Sequence, residues 1–144
     1  VSAVARGGND SAPSPRPVSV GFLCSEYPAF QSQHGGIGSF VQTLARALVE
    51  SGHRATVFGF GARDEDSTDH GVQLRLMRHR GPLSSVRMMQ SRLRRALVAN
   101  EIDVAESAES EAHCLPGGRR TIVRFHGSHH FWCPTLDQPS VCCR

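Results

Sequence analysis

The sequence predicts an α/β domain built on a doubly wound parallel sheet, and three adjacent segments carry this prediction. Residues 17–24 are apolar on both faces, which is typical of a parallel strand covered by helices on both sides. Residues 39–52 place apolar side chains at spacings of three and four, which predicts an amphipathic helix. A second apolar strand is expected at residues 55–60, so the three segments form one βαβ unit.

The rest of the chain continues this alternation of strands and helices. Gly52 is expected to end the first helix as its C′ residue. Pro82 suits the first position of a second helix that runs to about residue 100. The other predicted segments are a polar loop at 61–70, an exposed or edge strand at 72–77, strands at 102–105 and 121–125, a weak helical turn at 110–114 and a turn at 117–118.

The length of 144 residues suits one domain or a part of a larger one. Residues 1–16 lack the apolar centre of a signal peptide and are interpreted as a disordered leader. The domain itself is expected at 17–131, and residues 132–144 give no regular pattern and are interpreted as an irregular tail. No apolar run approaches the roughly 20 residues that a membrane-spanning helix needs.

The basic residues and the cysteines restrict the possible functions. All sixteen basic residues are arginine, which excludes a P-loop lysine and a Schiff-base lysine on this chain. The five cysteines are an odd number, and no signal peptide accompanies them, which argues against a disulfide framework. A reducing cytoplasm is therefore the expected compartment.

A glycine-rich segment between the first strand and the first helix is the main candidate site. Gly35, Gly36 and Gly38 allow the main chain to approach an anion, and the following helix N-terminus carries partial positive charge. His126 follows the last predicted strand, and ligands of such sheets bind beyond the carboxyl ends of the strands. The sequence thus predicts a phosphorylated or nucleotide-linked ligand here. The alternatives are a plain tight turn and a histidine that hydrogen-bonds to the backbone.

Arginines are concentrated on the second predicted helix, from Arg87 to Arg95. They are interpreted first as a solvated polar face, balanced by the five acids in residues 101–111. The alternative is peripheral contact with an anionic membrane. Nucleic acid is not expected, because no aromatic residues alternate with these arginines.

Histidines and cysteines near the end of the chain raise the question of a zinc site. His126, His129, His130 and Cys133 precede the pair Cys142 and Cys143. No C-x-x-C pair accompanies them, and no second ligand pair is evident. The sequence therefore predicts no bound metal.

Several segments, in order, resemble the N-terminal half of the GT-B glycosyltransferases of family 4. The segments that carry the resemblance are 25–28, 34–38, 48–58, 103–106 and 123–128, within a match of about 17–131. The resemblance implies a Rossmann-like, acceptor-side domain that faces a second, nucleotide-binding domain. That second domain is absent from these 144 residues, so the fold is expected to be incomplete at its C-terminus.

The resemblance also implies an activity and a set of roles. The reaction is a retaining transfer of a hexosyl unit from a nucleotide-diphosphate sugar to a sugar or lipid-linked acceptor, without a metal or another cofactor. Gly35, Gly36 and Gly38 would bind the donor diphosphate, and His126 would act at the donor sugar. Glu26 and Glu106, each after a strand, would bind the acceptor, or they are solvated loop acids.

The expected state of this chain follows from the missing half. It is expected not to turn over alone, and it would reside in the cytoplasm or at the inner face of the membrane. The alternatives are a non-catalytic module that binds a nucleotide or phosphosugar, and a remnant that folds poorly. Truncation or a frameshift would explain the irregular ending.

Overall fold

The computed structural model describes residues 16–32, 35–79 and 86–126, and these residues carry everything that follows. Strands and helices follow one another along them, with three consecutive strands between the two helices. Nearly all of the predicted leader, the whole of the predicted tail, Pro82 and residues 129–130 lie outside the described residues. The interpretations made for them stay predictions.

The described strands form one six-stranded sheet. They are β1 (Ser19–Leu23), β2 (Arg54–Gly61), β3 (Glu65–Asp69), β4 (Val72–Arg78), β5 (Val104–Ala108) and β6 (Thr121–Arg124). Their order across the sheet is β3-β4-β2-β1-β5-β6. Every neighbouring pair is parallel except β3 and β4. The central strand is β1, whose Val20 pairs with Ala55 of β2 on one side and with Val104 of β5 on the other.

Two helices, α1 (Gly36–Glu50) and α2 (Val86–Ala99), cover the two faces of this sheet. Alternate residues of β1 and β2 point to opposite faces, so each strand contributes to two separate cores. The core under α1 includes Phe22, Val57, Leu74, Val41 and Ala45. The core under α2 includes Leu23, Phe58, Met77, Leu93 and Leu97. The predicted doubly wound α/β fold is thus confirmed.

The end of α1 lies where the sequence predicts it. Gly52 has a φ of 84°, a backbone conformation that disfavours residues with a Cβ. Its amide donates to the carbonyl of Val49, and the amide of His53 donates to that of Leu48. These two bonds form a Schellman motif, and Gly52 is its C′ residue.

The polar loop predicted at residues 61–70 is wrong, because β3 occupies half of it. β3 has no apolar residue and is almost wholly exposed, so hydrophobic patterning carries no signal for it. It pairs with β4 through a tight turn in which His70 and Gly71 both have positive φ, 48° and 84°. Such a turn matches the twist of a two-stranded hairpin. β3, not β4, is therefore the edge strand.

The other edge of the sheet, β6, has a different character. Ile122 and Val123 are exposed, and Phe125 just beyond the strand is 77% exposed. Among the described residues, no helix is both long enough and apolar enough to cross a membrane.

Candidate functional site

The carboxyl ends of β1, β5 and β6 lie at one edge of the sheet, because the three strands are parallel. The first turn of α1 lies above the same edge, since α1 follows β1 in the chain. This edge brings together four of the predicted site residues, Glu26, Gly35, Gly36 and Gly38, and His126 from the far strand.

The three glycines have different environments. α1 begins at Gly36 and not at residue 39 as predicted, so Gly36 and Gly38 belong to its first turn and Gly35 is its N-cap. The first N–H groups of a helix have no intrahelical acceptor, and glycine is an acceptable N-cap residue. A Cβ on Gly38 would lie 2.0 Å from the carbonyl oxygen of Glu26, whereas a Cβ on Gly36 would meet nothing within 4 Å.

One of these glycines is needed for packing, and another leaves the start of α1 accessible to a ligand. Gly38 is buried and allows the backbone of the β1–α1 segment to lie against the helix. Gly36 is exposed and leaves the helix N-terminus open. No side chain of the described residues caps this N-terminus, and its first turn holds no acid. Its first N–H groups are thus available to an external acceptor.

The carboxylate of Glu26 lies beside this helix N-terminus. One of its carboxylate oxygens lies 2.9 Å from the position that a Cβ of Gly35 would occupy. The side chain is exposed, in agreement with a residue that follows a strand. Its predicted role towards an acceptor stays a prediction.

A partly buried network fixes the segment that carries Glu26. The hydroxyl of Tyr27, whose side chain is fully buried, donates to Asp69 Oδ2 at 2.6 Å. Arg46 of α1 donates to the same carboxylate with two nitrogens, at 3.1 Å and 2.7 Å. The network ties the β1–α1 segment, α1 and the end of β3 together.

The charges in this network shift two pKa values. Burial would raise the pKa of Asp69, but the hydrogen bonds from Arg46 and Tyr27 outweigh it and hold this pKa below its ordinary range. Burial and the bond to Asp69 both raise the pKa of the Tyr27 hydroxyl. Asp69 is therefore ionised and Tyr27 protonated at neutral pH.

His126 lies at the end of β6, above α1. Its backbone amide donates to Glu109 Oε2 at 3.1 Å. Its ring contacts the ring of Phe40 edge-on, with centroids 5.2 Å apart and planes at 67°. Hydrogen bonds from two backbone amides, its own and that of His126, hold the pKa of Glu109 below its ordinary range.

The prediction that Glu106 follows a strand is wrong, because β5 extends to Ala108. Only 5% of the residue is exposed, so the alternative of a solvated loop acid is wrong. Arg124 contacts both of its oxygens, with Nε 2.6 Å from Oε1 and Nη2 3.3 Å from Oε2. An acceptor would compete with this arginine for the carboxylate.

Two further residues of the site, Phe40 and Arg124, were not predicted from the sequence. The guanidinium carbon of Arg124 lies 5.0 Å from the ring centroid of Phe40, so Phe40 contacts both Arg124 and His126. Neither residue stands out locally, since Phe40 reads as one more apolar residue of α1. The one usable signal is the alternation of side chains along an extended chain. Arg124 and His126 are two residues apart, so this alternation predicts that they face the same side of the sheet.

The remaining predictions concern metal ligands, the arginines of α2 and the cysteines. No group of three or more histidines, cysteines or acids in the described part of the chain is placed to hold a metal ion. On α2, Arg92 is engaged by Asp64 and by the carbonyl of Arg78, whereas Arg87, Arg94 and Arg95 are exposed. Cys24 and Cys114 are buried and free.

Comparison with known proteins gives one result that bears on this edge. The sequence model described as Glycosyltransferase Family 4 matches residues 34–140, most of the chain. The match begins just before α1 and includes Phe40, Glu106, Arg124 and His126. A search of the curated proteins gives no match.

Proposed function

Because this chain belongs to glycosyltransferase family 4, we propose that it forms the acceptor-side half of a retaining enzyme. The enzyme would move a hexosyl unit from a nucleotide-diphosphate sugar to an acceptor hydroxyl. Glycosyl transfer as a reaction follows from the family. The donor, the stereochemistry and the roles of the residues are the proposal.

The contact between Phe40 and His126 is the observation that supports this proposal best. It joins the start of α1 to the end of β6, although the two residues are far apart in the chain. An open helix N-terminus and a histidine are thus neighbours at the carboxyl edge of the sheet. Parallel α/β sheets bind their ligands at this edge.

The chemistry of these groups suits a nucleotide-diphosphate sugar. The N–H groups at the start of α1 would hold the diphosphate, and the exposed Gly36 lets a phosphate reach them. His126 would donate to a hydroxyl of the donor sugar or stabilise the charge that develops at the reacting carbon. Helix dipole and cationic side chains would balance the leaving diphosphate, so that no metal is required.

An acceptor would enter beside Glu26. A cavity of about 290 Å³ lies at the ends of β1 and β2, and its polar lining includes Ser25, Gln31, Arg63 and Glu65. Hydroxyl groups of a sugar bind well to such a mixture of donors and acceptors. Glu26 follows Ser25 directly and would contact the reacting hydroxyl from the side of α1.

We also propose that this chain alone does not turn over and acts in the cytoplasm. A nucleotide needs a second wall, which the family supplies from its other domain. Two buried free thiols, Cys24 and Cys114, suit a reducing compartment. Membrane contact through Arg87, Arg94 and Arg95 is a separate proposal, and sedimentation with anionic and neutral vesicles tests it.

Amide hydrogen exchange of the full chain, with and without a panel of nucleotide sugars, tests the donor site. We expect ligand-dependent protection at residues 35–38 and near residue 126, with no change in the core of α2. A Gly36→Leu variant is the matched control, because its side chain has space but covers the helix N-terminus. If no nucleotide sugar protects these residues in a folded chain, the proposal is wrong. Protection without transfer in any assay would favour a binding module.

A further inference from the structure

Arg124 is a cation held on two sides at the candidate site. Its Nε and Nη2 atoms donate to the two oxygens of Glu106, at 2.6 Å and 3.3 Å. Its guanidinium carbon lies 5.0 Å from the centre of the Phe40 ring. The two hydrogen bonds to the Glu106 carboxylate and the contact with the Phe40 ring together leave the Arg124 side chain little rotational freedom.

The two partners of this ion pair are buried to different extents. The Glu106 side chain is 7% exposed, whereas that of Arg124 is 40% exposed. Arg124 cannot leave Glu106 without stranding a buried carboxylate, which is costly. Its Nη1 atom has no hydrogen-bond partner among the described residues, so the exposed part of the guanidinium still has N–H groups to donate.

The surroundings make such a cation necessary for an anionic ligand. Glu26, Glu109 and Glu111 all lie at this edge, and the last two accept hydrogen bonds from the backbone amides of His126 and Ser25. A diphosphate beside α1 would therefore meet several negative charges. Arg124, which lies over the Phe40 ring, is positively charged at every physiological pH.

We propose that Arg124 contacts the anionic phosphate of the donor through its outward N–H groups while Glu106 and Phe40 hold it in place. This inference rests on the proposed function, since it assumes that a diphosphate binds at the start of α1. It gives Glu106 a positioning role, because Glu106 orients Arg124. It adds a cation from the far strand to the backbone donors of α1.

Pyrophosphate titration of the full chain at constant ionic strength, followed by amide and arginine Nε–H nuclear magnetic resonance, tests the inference. The decisive comparison is between the wild type and the double variant Glu106→Gln/Arg124→Gln, which removes the cation without leaving an unpaired buried charge. Glu106→Gln alone keeps the cation and removes only the carboxylate that positions it. Arg94→Gln is the remote control, because Arg94 lies on α2 in a separate arginine-lined cleft.

We expect the double variant to bind pyrophosphate at least about tenfold more weakly than the wild type, as for the loss of one charge-assisted hydrogen bond, and Glu106→Gln to lie between the two. Arg94→Gln should bind as the wild type does, with the amide of Gly36 shifting in both. Binding by the double variant that equals binding by the wild type would overturn the inference and leave the donor site intact. If pyrophosphate does not shift the amide of Gly36 in the wild type, both the donor site and the role of Arg124 are wrong. The same holds if Arg94→Gln is the only variant that weakens pyrophosphate binding.

Discussion

Replacement of Gly38 by alanine tests how α1 meets the segment after β1. The new Cβ would lie 2.0 Å from the carbonyl oxygen of Glu26, at least 1.0 Å short of the 3.0 Å that real Cβ atoms keep. That oxygen belongs to the backbone, and Tyr27 next to it is anchored by the bond to Asp69. The segment therefore cannot give way without disturbing the partly buried network.

The magnitude is a difference between two effects of opposite sign. Overpacking of this kind costs about 1–3 kcal/mol. Alanine is better than glycine in a helix by about 1 kcal/mol, an advantage that is smaller in a first turn. We expect Gly38→Ala to lower the free energy of unfolding by about 1–2 kcal/mol.

Gly36→Ala is the matched control. It lies in the same helical turn and also replaces glycine by alanine, but its Cβ meets nothing within 4 Å. We expect this variant to be as stable as the wild type or slightly more stable.

Urea unfolding followed by circular dichroism measures both variants. With a slope of about 2 kcal/mol/M, in the middle of the usual range, Gly38→Ala should lower the midpoint by roughly 0.5–1 M. A Gly38→Ala chain that unfolds at the wild-type midpoint would refute the reasoning. It would mean that the contact between α1 and Glu26 is looser than the structure has it.

Three further predictions concern other parts of the fold. The lowered pKa of Asp69 gives stability that is present above the ordinary carboxyl pKa of about 3.9 and is lost as the pH falls through the folded value. Between pH 6 and 3 the urea midpoint should thus fall less in Asp69→Asn than in the wild type, and equal slopes would contradict this. Burial raises the pKa of the Cys24 thiol to about 12, so peptide-resolved iodoacetamide labelling at pH 8 should modify Cys24 only in urea, and rapid native labelling would disprove it. Glu101, just beyond the end of α2, has a φ of 51°, so Glu101→Gly should raise the free energy of unfolding by about 1 kcal/mol. Gly52→Ala, at the corresponding position after α1, should lower it, and urea titration measures both variants. A Glu101→Gly chain less stable than the wild type would contradict this prediction.

Local patterns in the sequence predict the parts of the fold whose side chains are divided between core and solvent. The stripe of α1, the apolar run of β2 and the stop at Gly52 are all correct for this reason. β3 escapes because every one of its side chains is polar and its pairing depends on the turn at His70 and Gly71. The predicted start of α1 is three residues late, since glycines suggest a loop while a first turn tolerates them.

The candidate site shows the same limit. That Gly36 and His126 share an edge follows from parallel strands and can be predicted from the sequence. The ion pair of Arg124 with Glu106 joins residues more than seventeen positions apart in the chain. The contacts of Phe40 with Arg124 and His126 are longer in range still, so no local pattern reveals them. Burial of Glu106 is likewise invisible locally, because the length of β5 and its place beside β6 decide it.

The two edges of the sheet give the domain a direction of growth. β3 is short, exposed and composed of polar and acidic residues, features that discourage another strand from adding to it. β6 instead presents Ile122 and Val123 to solvent, with no described strand beyond it. A further strand, from this or another polypeptide, would therefore pair more readily with β6 than with β3. The candidate site thus lies beside the edge of the sheet that is the more receptive to a partner strand.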